Sequence, residues 1–117
     1  MRYLLLIHDE EAKFGTMSQG EIGKLMTDYN TFTEELIKSG SFKDAARLRP
    51  TATATTVRVR DGKTLTTDGP FAETKEQLGG YYLVDVKNLD EAIKWAAKIP
   101  SARLGSVEVR PVWEDGE

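Results

Sequence analysis

Apolar residues near the start of the chain predict a short β-strand over residues 2–8. Successive side chains of a strand point to opposite faces of its sheet. Both faces of this strand carry large apolar residues, with Leu4 and Leu6 on one face and Tyr3, Leu5 and Ile7 on the other. A strand that is apolar on both faces is normally covered on both, so the sheet that contains it needs two covering layers.

Two helices are predicted from capping residues and from apolar positions at helical spacing. The first covers 18–39, because Ser18 and Glu21 form a capping box and Gly40 accepts the left-handed geometry that ends a helix. Its predicted buried stripe consists of Ile22, Leu25, Met26, Tyr29, Phe32, Thr33, Leu36 and Ile37. The second helix covers 88–99, where another cap opens a shorter apolar stripe and a proline follows.

The remaining pattern predicts five further strands, over 41–49, 55–60, 63–67, 81–86 and 106–113. Asp61 and Gly62 separate the second and third of these, which is a strong signal for a two-residue hairpin turn. The order is therefore β-α-β, a hairpin insert, then β-α-β. This is the split β-α-β plan of a ferredoxin-like α+β fold, and residues 1–117 fit one domain.

The second face of the predicted sheet needs a cover that the two helices do not provide, since both pack on the same side. The simplest cover is a second copy of the chain related by a two-fold axis, which predicts a homodimer. The inserted hairpin over 55–67 is the alternative cover. The sequence alone leaves both arrangements open.

Composition removes several classes of function. The chain has no cysteine, one histidine and a formal net charge of −3, with no cluster of Lys and Arg. These features exclude thiolate chemistry and the usual zinc sites, so no metal or cofactor is expected. Without a basic patch, neither nucleic acid nor a membrane surface is an expected partner. The apolar run 3–7 is far shorter than the ~20 residues of a membrane span, and a cytoplasmic location is expected.

The Asp-Gly-Pro-Phe sequence that follows the hairpin is the most informative loop. Gly69 adopts backbone angles closed to other residues, Pro70 fixes the direction of the chain, and Phe71 is expected to anchor the loop in the core. In one interpretation this rigid turn presents Asp68 and Glu73 to a cleft as acid/base groups. In the other, it is a structural turn that ties the hairpin to the main sheet.

Other polar side chains supply candidates for a site. His8 ends the first strand and acts as a general acid or base if it faces a pocket, although a solitary histidine at a sheet rim is the alternative. His8 and Asp9 are consecutive in a strand, so they point to opposite sides and do not form a dyad. The candidates for binding a small anionic or aromatic ligand are Arg47, Arg49, Tyr29 and Tyr81.

Several of these segments together resemble a known family. The stretch 68–82, DGPFAETKEQLGGYY, resembles the signature of the DGPF group within the YCII-related family, and similar matches occur at 3–7, 54–63 and 105–112. The resemblance covers essentially the whole chain. It implies a ferredoxin-like domain assembled as a dimeric α/β barrel and found mostly in bacteria.

The resemblance implies an uncharacterised role with two alternatives. A distant YCII-like relative is thought to act as a dehydrochlorinase with a His–Asp pair in its cleft, which implies a small-molecule-binding protein or a cofactor-free lyase or isomerase. The histidine of that pair lies in the first helix, at about Tyr29 here, whereas the one histidine of this chain is His8. If the chain is catalytic, His8, Asp68 or Glu73 moves the proton. Other members resemble proteins that sit beside sigma factors, which implies a non-catalytic interaction module with a sigma-factor partner.

Overall fold

The computed structural model describes all 117 residues as an α+β structure with antiparallel sheets. The strands are β1 (Arg2–Asp9), β2 (Phe42–Arg47), β3 (Thr55–Arg60), β4 (Lys63–Asp68), β5 (Gln77–Asp85) and β6 (Ser106–Pro111). The helices are α1 (Glu11–Phe14), α2 (Gln19–Ser39) and α3 (Leu89–Lys98). Two short 3-10 helices cover Thr51–Thr53 and Pro100–Arg103.

The main sheet has four strands in the order β2-β5-β1-β6, and every neighbouring pair is antiparallel. Strands β3 and β4 pair with each other and form a separate two-stranded sheet. The two β-α-β halves interleave, so β1 and β5 occupy the centre. This arrangement confirms the predicted α+β class and is compatible with a ferredoxin-like fold.

Helix α2 begins and ends where its capping residues predict. The Ser18 hydroxyl accepts a hydrogen bond from the Glu21 amide at 3.1 Å, and the Glu21 carboxylate accepts one from the Ser18 amide at 3.0 Å. Gly40 follows the last turn with a φ of 82°. Both ends of the helix are therefore set by local backbone chemistry.

The buried stripe of α2 is shorter than its apolar pattern predicts. Phe32 and Leu36 are buried, while Ile22, Met26 and Ile37 are exposed. A helix of this length spans about 30 Å, and its first turns find no core side chains to pack against. The prediction of one continuous buried stripe was therefore wrong for the first half of the helix and for Ile37 in its last turn.

The side chains of β1 alternate between a buried and a half-buried face. Tyr3, Leu5 and Ile7 are buried, whereas Leu4 and Leu6 are partly exposed. The buried set joins residues of β5, α2 and α3 in one core that includes Phe32, Leu36, Tyr82, Val84, Ala92, Ala96 and Ile99. The two longer helices thus cover one face of the main sheet, as the sequence predicts.

The other side of the main sheet carries an apolar patch that no helix covers. In the strand register, Leu4 lies opposite Leu83 and Leu6 lies opposite Tyr81. All four side chains are partly exposed. We call these four residues, Leu4, Leu6, Tyr81 and Leu83, the open face.

The inserted hairpin has the predicted strands and turn. Asp61 and Gly62 have φ values of 54° and 72°, as a two-residue turn of the primed type requires. All residues of β3 and β4 except Thr56 are exposed. The hairpin therefore does not cover the open face of its own chain, and the alternative cover considered for that face was wrong.

The loop after the hairpin differs in two respects from its prediction. Gly69 has the left-handed φ expected, at 101°. Phe71, expected to anchor the loop in the core, is instead 82% exposed. Strand β5 begins at Gln77, earlier than predicted, because its first residues continue the pairing with β1. The loop is thus shorter than expected and has no core side chains beneath Phe71.

Replacing Leu36 by alanine tests where the core lies. Leu36 is completely buried, so L36A is expected to lower the free energy of unfolding by about 2–5 kcal/mol. The matched control is I37A, at a side chain that is 53% exposed, which is expected to cost less than about 1 kcal/mol. Urea unfolding of the two variants measures the difference, and equal losses would contradict this placement of the core.

Candidate functional site

The end of β1 carries polar side chains on both sides of the sheet. His8 lies on the side of the open face, and Asp9 lies on the helix-covered side. Asp9 is only 9% exposed, and its Oδ1 atom is buried without a hydrogen-bond partner. Buried polar atoms are nearly always paired, so this carboxylate is the most unusual polar group of the fold.

Three elements bring side chains together around Asp9. Tyr29 comes from α2, and Ser101 comes from the 3-10 helix Pro100–Arg103. The Tyr29 hydroxyl and Ser101 Oγ lie 2.5 Å apart, and Ser101 is 1% exposed. We call Asp9, Tyr29 and Ser101 the Asp9 cluster.

Burial changes the acid strength of two members of this cluster. It raises the pKa of Asp9, while the Ser101 hydroxyl opposes that shift, Glu76 adds to it and His8 opposes it. Burial also raises the pKa of Tyr29 to about 12. Tyr29 therefore remains a neutral hydroxyl, and Asp9 is a stronger base than an ordinary aspartate.

Glycines allow the backbone to approach closely around the cluster. A Cβ atom on Gly79 would lie 3.4 Å from Asp9 Oδ2, and one on Gly105 would collide with the carbonyl oxygen of His8. A Cβ atom on Gly80 would lie 2.7 Å from the carbonyl oxygen of Ala46. Side chains at Gly80 and Gly105 would push neighbouring backbone segments apart, whereas a Cβ atom on Gly79 would make only an ordinary contact.

Asp68 and Glu73 line one pocket, as the acid/base interpretation of the loop requires. It has a volume of about 440 Å³ and is also lined by Thr51 and Gln77. Gln77 lies directly opposite Asp9 in the β1–β5 register. Because opposite residues of a strand pair have Cβ atoms about 5 Å apart, the Gln77 wall of the pocket lies beside Asp9, while Asp9, Tyr29 and Ser101 themselves do not line it. We call it the Asp68 pocket.

Hydrogen bonds made by Glu11 connect two of the chain segments that line the Asp68 pocket. The Glu11 amide donates to Gln77 Oε1 at 2.9 Å. The Glu11 carboxylate accepts hydrogen bonds of 2.8 Å from both the amide and the hydroxyl of Thr51. The start of α1 thus ties β5 to the 3-10 helix Thr51–Thr53, which fixes two walls of the pocket.

His8 faces a second, larger pocket. The Nε2 atom of His8 lies 3.8 Å from Glu108 Oε1. The pocket has a volume of about 690 Å³, and its charged walls are formed by Glu10, Lys13, Lys75, Glu76 and Glu108. We call it the outer pocket. Thr74 lines both pockets, so they are neighbours, but His8 does not share a cavity with Asp68 and Glu73.

The four candidates for ligand binding do not converge. Tyr29 belongs to the Asp9 cluster, whereas Tyr81 lies on the open face and donates a hydrogen bond to Asp44 at 3.1 Å. Arg47 is exposed and lies 4.0 Å from the sulfur of Met26, and Arg49 is exposed beyond the end of β2. Neither arginine lines the Asp68 pocket or the outer pocket.

Sequence reasoning missed the roles of Asp9 and Ser101. A signal for Asp9 was present, because it continues the buried odd-numbered positions of β1 two residues after Ile7. No comparable signal marks Ser101, whose position depends on how the segment after α3 packs on α2.

The structure places no group of three or more His, Asp or Glu side chains where they could hold a metal ion. None of its helices is both long and apolar enough to cross a membrane.

The fold and the Asp9 cluster define a small α+β protein with a buried carboxylate beneath its helices. The chain belongs to the YCII-related domain family, whose family model matches residues 1–115. It is 40% identical over 114 residues to the uncharacterized protein R00369 of Rhizobium meliloti (strain 1021). That match covers 96% of this chain and 92% of the other. The resemblance to the YCII-related family is therefore confirmed.

The raised pKa of Asp9 predicts how stability depends on pH. Between the unfolded pKa of about 3.9 and the higher native pKa, the folded chain binds the Asp9 proton more tightly than the unfolded chain. Unfolding then releases the proton, so this group's contribution to the free energy of unfolding falls as pH rises. D9N removes the titration. The free energy of unfolding of the wild type, minus that of D9N, is expected to decrease from about pH 4 upward.

Urea unfolding of both proteins at pH values from about 4 to 7.5 measures this difference. All other carboxyl groups are the same in the wild type and in D9N, so their contributions to the pH dependence largely cancel in the difference between the two free energies of unfolding. A difference that grows with pH would mean that Asp9 is stabilised as the charged form, which contradicts the account of its burial.

Proposed function

We propose that the chain binds a small organic molecule in the Asp68 pocket and that Asp9 acts there as general acid and base in a cofactor-free lyase- or isomerase-like step. One observation carries the proposal, which is the buried Asp9 Oδ1 atom without a hydrogen-bond partner. Leaving such a group unpaired costs about 1–3 kcal/mol. Strained or unsatisfied polar groups of this kind concentrate at functional sites.

The charges of the pocket favour a particular ligand class. Asp68 and Glu73 line it, together with the polar side chains of Thr51 and Gln77. Carboxylates repel an anionic ligand and accept hydrogen bonds from hydroxyl groups. A hydroxylated ring compound, for which a phenol is a simple binding probe, therefore suits the pocket better than a small carboxylic acid.

The proposed chemistry is a proton transfer at carbon. Asp9 takes a proton from a carbon next to a carbonyl group of the ligand, and the electron pair of that C–H bond moves toward the carbonyl oxygen. When the deprotonated carbon carries a hydroxyl group, return of the proton to the former carbonyl carbon and transfer of the hydroxyl proton to the former carbonyl oxygen complete an isomerisation. When the next carbon carries a leaving group, the carbonyl re-forms, a carbon–carbon double bond forms to that carbon, and the leaving group departs with its bonding electron pair, which completes an elimination. Tyr29, which keeps its proton because of its raised pKa, supplies a neutral donor for the developing negative charge.

A thermal-shift screen tests the proposed site. A ligand at ten times its dissociation constant stabilises the folded chain by about 1.4 kcal/mol, which raises the midpoint of thermal unfolding by several degrees. Catechol and hydroquinone are expected to raise the midpoint of the wild type more than succinate does. D9N is expected to lose that response.

The matched control is D61N, because Asp61 lies in the exposed hairpin turn and asparagine tolerates its positive φ. D61N should respond as the wild type does. Equal phenol responses in D9N and the wild type would rule out Asp9 as the ligand-binding group. A response lost in H8N but kept in D9N would move the proposed site to the outer pocket.

We also propose that the chain forms a homodimer in which the open faces of two copies pack together, giving an α/β barrel. The support is the apolar character of Leu4, Leu6, Tyr81 and Leu83, which no helix covers. When two identical faces pack across a two-fold axis, each covers the other, and the assembly ends at two copies. Four strands from each copy would then surround one shared core.

An interaction module associated with a sigma factor is the second candidate function. The observation that favours it is the exposure of two large aromatic side chains, Phe71 and Trp113. Exposed aromatic residues are enriched where proteins bind each other. This function predicts that a sigma factor encoded beside the protein is captured by the wild type and is lost from the double variant F71A/W113A. Capture that is equal for both proteins, or absent from both, would contradict it.

A further inference from the structure

The chain exposes far more surface than a compact protein of its size. Its accessible surface is 8257 Å² for a mass of 13.1 kDa, against about 6,400 Å² expected from the scaling of folded monomers. Its radius of gyration is 16.3 Å, against about 13.4 Å for a compact domain of this length. The excess of about 1,900 Å² exceeds the roughly 800 Å² that each partner buries in a standard interface.

The hairpin formed by β3 and β4 accounts for much of this exposure, and we call it the arm. Its two sides differ in chemistry. Val57 and Val59 share one side and are each 59% exposed, opposite Thr66 and Thr64 in the register. The other side carries the cations Arg58, Arg60 and Lys63 around Leu65. The arm is thus a ribbon with one side of β-branched residues, which is uncharged except for Asp68 at its base, and one cationic side.

The base of the arm is held firmly. The Gly69 amide donates to the Ala54 carbonyl oxygen at 2.7 Å, and the Thr56 hydroxyl donates to the Gly69 carbonyl oxygen at 2.8 Å. These bonds close the hairpin at its own base, and its two valines belong to no part of their own chain's core. A preorganised ribbon loses little conformational entropy when it binds, which favours a partner surface over collapse onto its own chain.

We infer that the arm of each chain packs the Val57–Val59 side against a second copy of the chain. This inference rests on the homodimer proposed above and goes beyond it, since that dimer requires only the open faces. The excess accessible surface of the chain favours a second copy as the partner, because its area corresponds to an extensive dimer interface and not to a small contact. The open face of one copy and the arm of the other then form one continuous apolar interface, flanked by the cationic side of the arm in solvent.

The double variant V57T/V59T tests the arm. Threonine is β-branched and favours strands, so the hairpin is retained while its apolar side is removed. The dimer dissociation constant, measured by light scattering during size-exclusion chromatography of a dilution series, is expected to rise at least tenfold. The matched control is L65T, which makes the same kind of change on the opposite side and should leave the constant unchanged. A V57T/V59T dimer as tight as the wild type would overturn the inference.

A variant of the open face separates this inference from the homodimer itself. L6K places a charge in that face and is expected to dissociate the dimer, with circular dichroism confirming the fold. If L6K dissociates and V57T/V59T does not, the homodimer stands and the arm inference is overturned. A wild type that is a single chain at every concentration overturns both.

Crosslinking gives a second readout that needs no variant. Equal amounts of ¹⁴N- and ¹⁵N-labelled wild-type chains are mixed, allowed to exchange and treated with a lysine-reactive crosslinker. Lys63 lies at the tip of the arm, so peptides that join Lys63 of one label to a lysine of the other are expected. Crosslinks of Lys63 confined to chains of one label would overturn the inference.

Discussion

The structure depends on the packing of both longer helices against the same face of a four-stranded sheet. That face holds the core, where Leu5, Leu36, Val84 and Ile99 are fully buried. The middle of the opposite face is also apolar, because β1 and β5 alternate large residues on both of their sides, while Glu108, Arg110 and Asp44 lie beside it on the outer strands. One side of the sheet therefore becomes the interior of the chain, and the other side is the surface on which the proposed homodimer rests.

The same alternation along β1 produces the candidate site. Buried positions at every second residue end with Asp9, so the strand that forms the core also carries a carboxylate into it. Tyr29 and Ser101 close around that carboxylate, yet Oδ1 remains unpaired. The family match covers nearly the whole chain, while the proposed chemistry rests on that single atom and on the pocket beside it.

Local signals made much of the fold predictable. The Ser18 and Gly40 caps, the Asp61-Gly62 turn and the alternation in β1 are each decided by backbone chemistry within a few residues. The Asp9 cluster was not predictable, because its members lie up to 92 residues apart and meet only after β1, α2 and the segment after α3 have packed. The prediction for Phe71 was wrong for a related reason. An aromatic side chain is expected in the core, and only the tertiary structure shows that this one is 82% exposed.

The need for a second copy is the claim on which most of this account depends. Sedimentation equilibrium of the wild type between about 1 and 100 μM tests it most directly, in the concentration range of ordinary dimers. The account predicts a species of twice the 13.1 kDa chain mass that dissociates, if at all, only toward the dilute end. A folded species of 13.1 kDa at every concentration would show that the open face tolerates water, and it would contradict the account.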